Sequence, residues 1–583
     1  MRLRHMTNPS SVGSAVSPFR TRLVQLIVAA LFSLPVSTVA QAWTPQIAAD
    51  SIFSSMNTET TPGCALSVMK NGLAIYEQGY GMANLEYGIP ITPRSIFHVA
   101  SVSKHFTAMA IELLVNDGEV SWDDDIRTYV PEVPDFGTPI TLRHLVHHVS
   151  GIRDQWNLLS RSGWRWEADV VTQGDVLDIT SRQTALNFPT GSRYLYSNTG
   201  FTLLAVVVER VTGQTLREFS TERMFEPLGM NDTHFHDDHN MIVPNRAWAY
   251  EPDDNGAFGL RNSIPDFDVV GATSLFTTVH DLAAWDRNFD TGRVGGRPAL
   301  DRLHELFVLT SGENTTYAHG LSVGTYRGLQ TVGHGGSDAG YRSHFLRFPS
   351  EGISIAVLCN FPSSDPGGLA RRVANVYLAD RLADPAVSSH TGATVPLSRR
   401  EMEALTGVYH AEINDQMREV SLEDDDLMLI DQNRRSKLRH VGDYQFESSE
   451  LGSLVTIRPP IGSQPGTLVF SSEGRRLQLE LDSYKRHDPW SPTSTDLEEF
   501  VGTYHSDELD TEYHLSLEDG QLAIHHRKLA SATLTPMFGD AFRTASTSWQ
   551  RYSLVITRDS RGRVDGFRIS DGRVWGVRFW RSE

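Results

Sequence analysis

The sequence predicts an α+β domain, an antiparallel sheet flanked by helices, followed by two small antiparallel β-barrels. Two observations carry that reading. Strand-like segments stand at both ends of residues 43–385 with mainly helical and loop patterns between them, so one sheet must unite the two ends. The C-terminal third holds an internal repeat. Gly407, Tyr409 and His410 recur as Gly502, Tyr504 and His505, and Ser421-Leu422-Glu423-Asp424 recurs as Ser516-Leu517-Glu518-Asp519, at one constant offset of 95 residues. Short alternating strands and turns in both copies read as barrels. A chain of 583 residues is too long for a single core. The expected division is a leader at 1–42, the α+β domain at 43–385, and barrels at 400–488 and 496–583. Linkers rich in Ala, Asp, Pro, Ser and Thr lie at 380–400, and a second runs from His487 to Thr495.

Taken in order, the N-terminus is cationic at Arg2, Arg4, Arg20 and Arg22, and no acidic residue precedes Asp50. An apolar run, Leu23 to Leu34, then leads to Ala40-Gln41-Ala42. This is a secretory pattern cut after Ala42, and it predicts a periplasmic or secreted product. The run is too short to span a membrane, and nothing after it is long enough. Gly63 to Lys70, Asn71-Gly72 and Leu73 to Gly81 read as a hairpin with a type I′ turn. An apolar-periodic segment through Phe106, Met109, Leu113 and Leu114 predicts a helix stopped near Gly118. A second helix carries Phe201, Leu204, Val207, Val208 and Val211 and closes at Gly213. Strands are expected at Gln330 to Gly333, Tyr341 to Arg347 and Ile353 to Cys359. Cys64 and Cys359 are the two cysteines. An oxidising compartment permits a disulfide, and two buried thiols in strands is the reading preferred.

The formal net charge of −19 argues against nucleic acid as a partner, because phosphate binding needs clustered Lys and Arg. The sequence leaves the oligomeric state open and calls for no cofactor or metal.

Three short motifs carry chemistry. Ser101-Val102-Ser103-Lys104 opens the first helix, and positions i and i+3 share a helix face, so a hydroxyl and an amine stand side by side. The amine can take the hydroxyl proton, and peptide N–H groups at a helix start can hold an oxyanion. Tyr196-Ser197-Asn198 precedes the second helix. His334-Gly335-Gly336, followed by Ser337, falls on an expected strand.

Serine, then Y-x-N, then H-x-G in this order resembles the penicillin-recognising serine hydrolases, the group of class C β-lactamases, DD-peptidases, D-aminopeptidases and related esterases. Flanking residues match too, among them Trp122 to Ile126, Ile140 to Leu145, Ser150-Gly151 and Pro227-Leu228-Gly229-Met230. The resemblance implies a β-lactamase/penicillin-binding-protein-like fold. It implies that Ser101 forms an acyl-enzyme, that Lys104 or Tyr196 accepts its proton, and that Asn198 bonds Lys104 and the substrate. His334 lines the opposite wall and bonds Tyr196 or the substrate. The N–H groups of Ser101 and Ser337 form the oxyanion hole, and Gly335 and Gly336 let the strand approach closely. H-G-G and two barrels together resemble the D-aminopeptidase layout, in which a barrel loop reaches the site. The expectation is therefore a hydrolase of amide, peptide or ester bonds in small D-amino-acid or peptidoglycan-type substrates. A β-lactamase or short-chain esterase of the same family is the nearest alternative. Asp507, Glu508 and Asp510 could bind a substrate amine, although ordinary solvated charge is the reading preferred.

Two rivals come from other classes. His234, His236, Asp238 and His239 fit H-x-H-x-D-H, a zinc-hydrolase spacing. They follow Pro227 to Met230, where the serine family has a surface loop, and lack the flanking glycines. His144, His147 and His148 lack the Glu of H-E-x-x-H and read as packing or surface groups. A non-catalytic protein that captures peptidoglycan fragments is the other rival.

Overall fold

The computed structural model describes residues 44–166, 168–384, 394–431, 434–448, 453–471, 483–544 and 551–582. The predicted leader and its cleavage site lie outside these residues. The chain divides into two compact units, residues 1–48 and 49–583.

Within the second unit a six-stranded antiparallel sheet forms the scaffold. Its strands are β1 (Cys64–Lys70), β2 (Leu73–Tyr80), β3 (Ser322–Tyr326), β4 (Leu329–Asp338), β5 (Tyr341–Phe348) and β6 (Ile353–Cys359), in the order β3-β4-β5-β6-β1-β2. The sheet does unite the two ends of the domain, since β1 pairs with β6 from Cys64↔Cys359 to Lys70↔Ile353. Asn71 and Gly72, both at positive φ (49° and 69°), make the β1–β2 turn, as type I′ geometry requires.

Side chains alternate across a strand, and β1 is buried on both faces. Ala65 and Met69 enter the main core with the helices that carry the site. Those are α1 (Lys104–Asp117) and α3 (Asn198–Thr212), while α2 (Gln155–Ser162), also beside the site, buries its leucines in a different cluster. Leu66 and Val68 point the other way and pack with Phe53, Leu369 and Val373. Each fully buried aliphatic side chain contributes about 1.5–3 kcal/mol. Gly118 and Gly213 cap α1 and α3 in the left-handed region. The two cysteines are joined as a disulfide between β1 and β6, which corrects the expectation of free thiols. Paired register places them opposite one another, something sequence separation conceals. Among the described residues no helix is long and apolar enough to cross a membrane.

Both repeats close into eight-stranded barrels, one from Gly407–Ala411 to Tyr484–His487 and one from Gly502–Ser506 to Val577–Arg581. The repeat is structural. Tyr409 Oη donates to Leu405 O and Tyr504 Oη to Phe500 O, each at 2.7 Å. Asp424 and Asp519 make the same positive-φ turn.

The second barrel shares a core with the α+β domain. Leu158 and Leu159 of α2, with Val176 and Ile179, pack among Leu509, Tyr513 and Leu515 of the barrel. Arg153 Nη1 donates to both carboxylate oxygens of Glu508 (2.5 and 2.6 Å) with both side chains 3% exposed. Glu508 is thus a buried clamp, which corrects its reading as solvated charge. Asp507, 77% exposed, fits that reading.

Candidate active site

Ser101 sits in a 3₁₀ turn, Ala100–Ser103, that runs directly into α1. The residue before it, Ala100, is held at φ 48°, a left-handed conformation that costs a non-glycine on the order of 1 kcal/mol. Two bonds hold it there. Ala100 N–H donates to His98 Nδ1 (3.2 Å), and Ser103 Oγ donates to Ala100 O (2.5 Å). Burial drives His98 well below the ordinary imidazole range, so the ring is neutral and keeps a lone pair for that N–H.

Lys104 is fully buried, and its Nζ has three oxygen neighbours: Ser101 Oγ at 3.1 Å, Asn198 Oδ1 at 2.8 Å and Ala272 O at 2.6 Å. Burial first, and then the Arg573 guanidinium, push Lys104 well below the usual amine range, against Asp154 and Asp338. A neutral amine has two N–H donors and one lone pair. Asn198 Oδ1 and Ala272 O can only accept, so they take both donors, and the lone pair is left for the Ser101 hydroxyl. Gly271 (φ 95°) makes the Ala272 contact possible, because a Cβ there would stand 2.4 Å from Phe201 O.

Asn198 opens α3 and is oriented by a residue absent from the motif reading. Buried Asp154 Oδ2 accepts from Asn198 N (2.7 Å) and from Asn198 Nδ2 (2.8 Å), while Asp154 Oδ1 caps α2 at Trp156 N (3.0 Å). A carboxylate accepts only, so it turns the Asn198 oxygen toward Lys104. No motif marks Asp154, and both its cap on α2 and its bond to Asn198 need the fold.

The Tyr196 ring lies 4.8 Å from Lys104 Nζ. Its buried hydroxyl has no hydrogen-bond partner of good geometry among the described residues. Burial raises its pKa above the phenol range despite the nearby Ser101, so it stays protonated. His148 backs it at 4.2 Å between ring centroids and accepts from Ser197 N–H through Nδ1 (3.2 Å). His147 and His148 are buried and His144 belongs to a helix cap, as packing groups should.

On β4, His334 meets Gly335 O through Nδ1 (2.5 Å) and Tyr317 Oη through Nε2 (2.9 Å). A carbonyl only accepts, so Nδ1 carries the proton and Nε2 accepts from Tyr317. Burial pushes His334 down to about 3, so it is neutral. Its side-chain bond goes to Tyr317 instead of Tyr196, whose ring is 6.1 Å away. A Cβ on Gly336 would stand 2.2 Å from Val99 O and 2.2 Å from Ser343 Oγ. The bare glycine is what lets β4 lie against the Val99–Ser101 segment and bring Ser337 beside it. Asp338 accepts from Thr273 Oγ1 (2.9 Å), and burial pushes it up to about 6.

Arg573 comes from the second barrel, in the turn between β7 (Val564–Ser570) and β8 (Val577–Arg581). Its guanidinium carbon lies 4.8 Å from the Tyr196 ring centroid and a nitrogen 3.9 Å from Asp154 Oδ2. No short motif marks it, and some 375 residues separate it from Asn198 (198 to 573).

The structure thus brings Ser101, Lys104, Tyr196 and Asn198 into contact, with the His334 ring 6.1 Å from that of Tyr196 and Gly336 against Val99 and Ala100, which sets Gly335 and Ser337 alongside. It does not gather the zinc-like set. Among the described residues the one cluster of possible metal ligands is Asp238, His239 and Asp268, without His234 or His236. His234 and His236 pack on Phe276 instead.

Comparison with known proteins points the same way. The Beta-lactamase family model matches residues 49–410. A D-aminopeptidase of Brucella anthropi is 26% identical over 538 residues, covering 89% of this chain and 95% of its own length. A D-aminopeptidase of Gluconobacter oxydans is 29% identical over 304 residues, and there the match spans 52% of this chain and 56% of the relative. The octameric penicillin-binding protein homologue from Pyrococcus abyssi shares the fold, with a TM-score of 0.52 at 21% identity over 83% of this chain and 98% of that one.

Proposed function

The chain belongs to the Beta-lactamase family and is a serine hydrolase, and we propose that Ser101 is its nucleophile and that it acts on amide or peptide bonds of D-amino-acid-containing substrates, of D-aminopeptidase or peptidoglycan-peptide type. The observation that carries the reading is the Lys104 amine. Its two donors are spent on Asn198 and Ala272 and its lone pair faces Ser101 Oγ at 3.1 Å. Lys104 takes the serine proton as Oγ attacks the carbonyl. The oxyanion is received between the N–H groups of Ser101 and Ser337. Tyr196, protonated, supplies a proton to the leaving nitrogen. Water then releases the acyl group from Ser101 by the reverse relay. Neutral His334 fixes Tyr317 and the wall of the cleft. The cationic, apolar and A-x-A pattern of residues 1–42 supports an exported protein.

The substrate reading draws on the D-aminopeptidase relatives. A panel of D- and L-aminoacyl p-nitroanilides, a D-Ala-D-Ala peptide, short-chain esters and a cephalosporin tests it. D-configured amides or peptides should turn over fastest, and Ser101→Ala should abolish turnover. Faster hydrolysis of the cephalosporin, or of L-substrates alone, contradicts the proposal. Loss of activity on chelation with Ser101→Ala still active supports the zinc rival instead. Ligand binding without any turnover supports the capture protein.

A further inference from the structure

We propose that Arg573 selects the substrate by binding a carboxylate next to the scissile bond, so that this enzyme takes anionic peptides in preference to peptides presenting a free amine. The inference rests on the serine-hydrolase reading of the cleft and names the substrate that cleft admits.

Three observations carry it. The first is that the guanidinium is unspent. Its five N–H groups make no hydrogen bond among the described residues, and its one ion-pair neighbour, Asp154, is 3.9 Å away. Asp154 Oδ2 already accepts twice from Asn198. Arg573 is 43% exposed on its side chain and lies beside the Tyr196 ring. A planar fork of donors with one face on an aromatic ring is suited to bidentate recognition of a carboxylate.

The second is that its loop is built to hold it. Asp571 Oδ1 accepts from Arg573 N–H (2.9 Å) and Val574 N–H (3.0 Å), and Arg161 grips Asp571 Oδ2 (3.0 Å). Asn187 brackets the residue by donating to Arg573 O (2.9 Å) and accepting from Trp575 N–H (2.8 Å), and Arg153 donates to Trp575 O (2.6 Å). A loop fixed at this many points loses little entropy when a ligand arrives.

The third is charge. Three acidic groups packed around this site already have partners. Glu508 is buried against Arg153, Asp154 is committed to Asn198, and half-buried Asp338 accepts from Thr273. What the cleft offers is a cation, and a substrate ammonium beside it is repelled.

The test uses the full chain as wild type, Arg573→Gln and Arg573→Glu, each titrated first with a fluorophosphonate to count reactive Ser101. Two substrate pairs differ in the charge they carry beside the scissile bond, and the second pair also in its succinyl group. N-acetyl-D-Ala-D-Ala against its C-terminal amide places the carboxylate on the leaving side. N-succinyl-D-Ala p-nitroanilide against D-Ala p-nitroanilide places it on the acyl side. In one pair wild type should favour the anionic member by about tenfold or more in kcat/KM, the factor that a charge-assisted hydrogen bond supports. Arg573→Gln should bring that ratio toward one and Arg573→Glu should invert it. If Arg573→Glu does not fold, Arg573→Gln decides alone. Equal ratios in all three proteins, or a wild type that prefers the free amine, overturn the inference while leaving a titratable serine hydrolase. A wild type that neither titrates nor turns over any substrate overturns the hydrolase reading and this inference with it.

Discussion

The first barrel builds its main core from its own residues, Leu405 to Tyr484, and packs only Val408 and Met417 on Met537 and Ala541 of the second barrel, whereas the second merges its core with Leu158, Leu159, Val176 and Ile179 of the domain that carries Ser101. Both come from one repeat and both use the same turn, after their first strands, to dock. In the first barrel that turn presents Asp415, which accepts from Arg568 (2.7 and 2.8 Å) and Ser570 (3.0 Å) of the second barrel. In the second it presents Glu508, which is clamped by Arg153. At the offset of 95 residues, Glu508 corresponds to Ile413, which is 49% exposed. Shared residues, the tyrosines and the turn aspartates, build the barrels; unshared ones decide what each barrel touches. The consequence is functional. Arg153 and Asp154 are neighbours at the start of α2, one holding the barrel and the other holding Asn198. The second barrel therefore sets Arg573 beside the Tyr196 ring, and the first barrel holds the second through Asp415.

The contrast can be broken most severely at the clamp. Glu508→Ala leaves Arg153 buried without its counter-ion and should cost about 3–5 kcal/mol in denaturant unfolding. Ile413→Ala, its counterpart, should stay within about 0.5 kcal/mol, as surface changes do. Next, Leu159→Ala should cost about 2–5 kcal/mol and lower kcat/KM as well. Leu429→Ala in the first barrel's core should cost a similar amount while leaving the count of reactive serines per folded molecule intact.

A smaller effect sharpens the comparison through pH. Lys104 must be neutral to accept a proton, so kcat/KM rises as pH climbs through its depressed pKa. Arg573 depresses it, while Asp154 and Asp338 oppose. Arg573→Gln should therefore move the acid limb of the pH profile to higher pH, by up to about one unit. Asp415→Asn, acting from the first barrel, should leave that limb in place and cost about 1 kcal/mol of stability. Asp507→Asn, on the exposed flank of the same turn as Glu508, should change neither stability nor the profile measurably.

Much of this was legible in the sequence. Local signals work where a residue's task is local. Asn71-Gly72 announces its turn, Gly118 and Gly213 announce helix ends, and the repeat announces two barrels. The motif residues Ser101, Lys104, Tyr196, Asn198 and His334, far apart in the chain, lie together in the fold. What stayed hidden depends on partners far apart in the chain. Cys64 meets Cys359 only because β1 pairs with β6. Glu508 reads as a solvated turn residue until Arg153 is placed against it. Asp154 lies outside every motif, and both its cap on α2 and its grip on Asn198 need the fold. Arg573 has no local signal at all, since its environment is made by another module. His334 was expected to bond Tyr196 or the substrate; Tyr317, which no motif includes, takes its Nε2.

The central claim is that Ser101 carries the acyl group in a cleft completed by Lys104 and Asn198. Acid-quenching the full chain during steady-state turnover of a D-aminoacyl ester, then weighing it and its peptides by mass spectrometry, tests this most directly. The account predicts a single acyl adduct, confined to the peptide containing Ser101 and absent from Ser101→Ala. An adduct on another residue, or sustained turnover by Ser101→Ala, would contradict it.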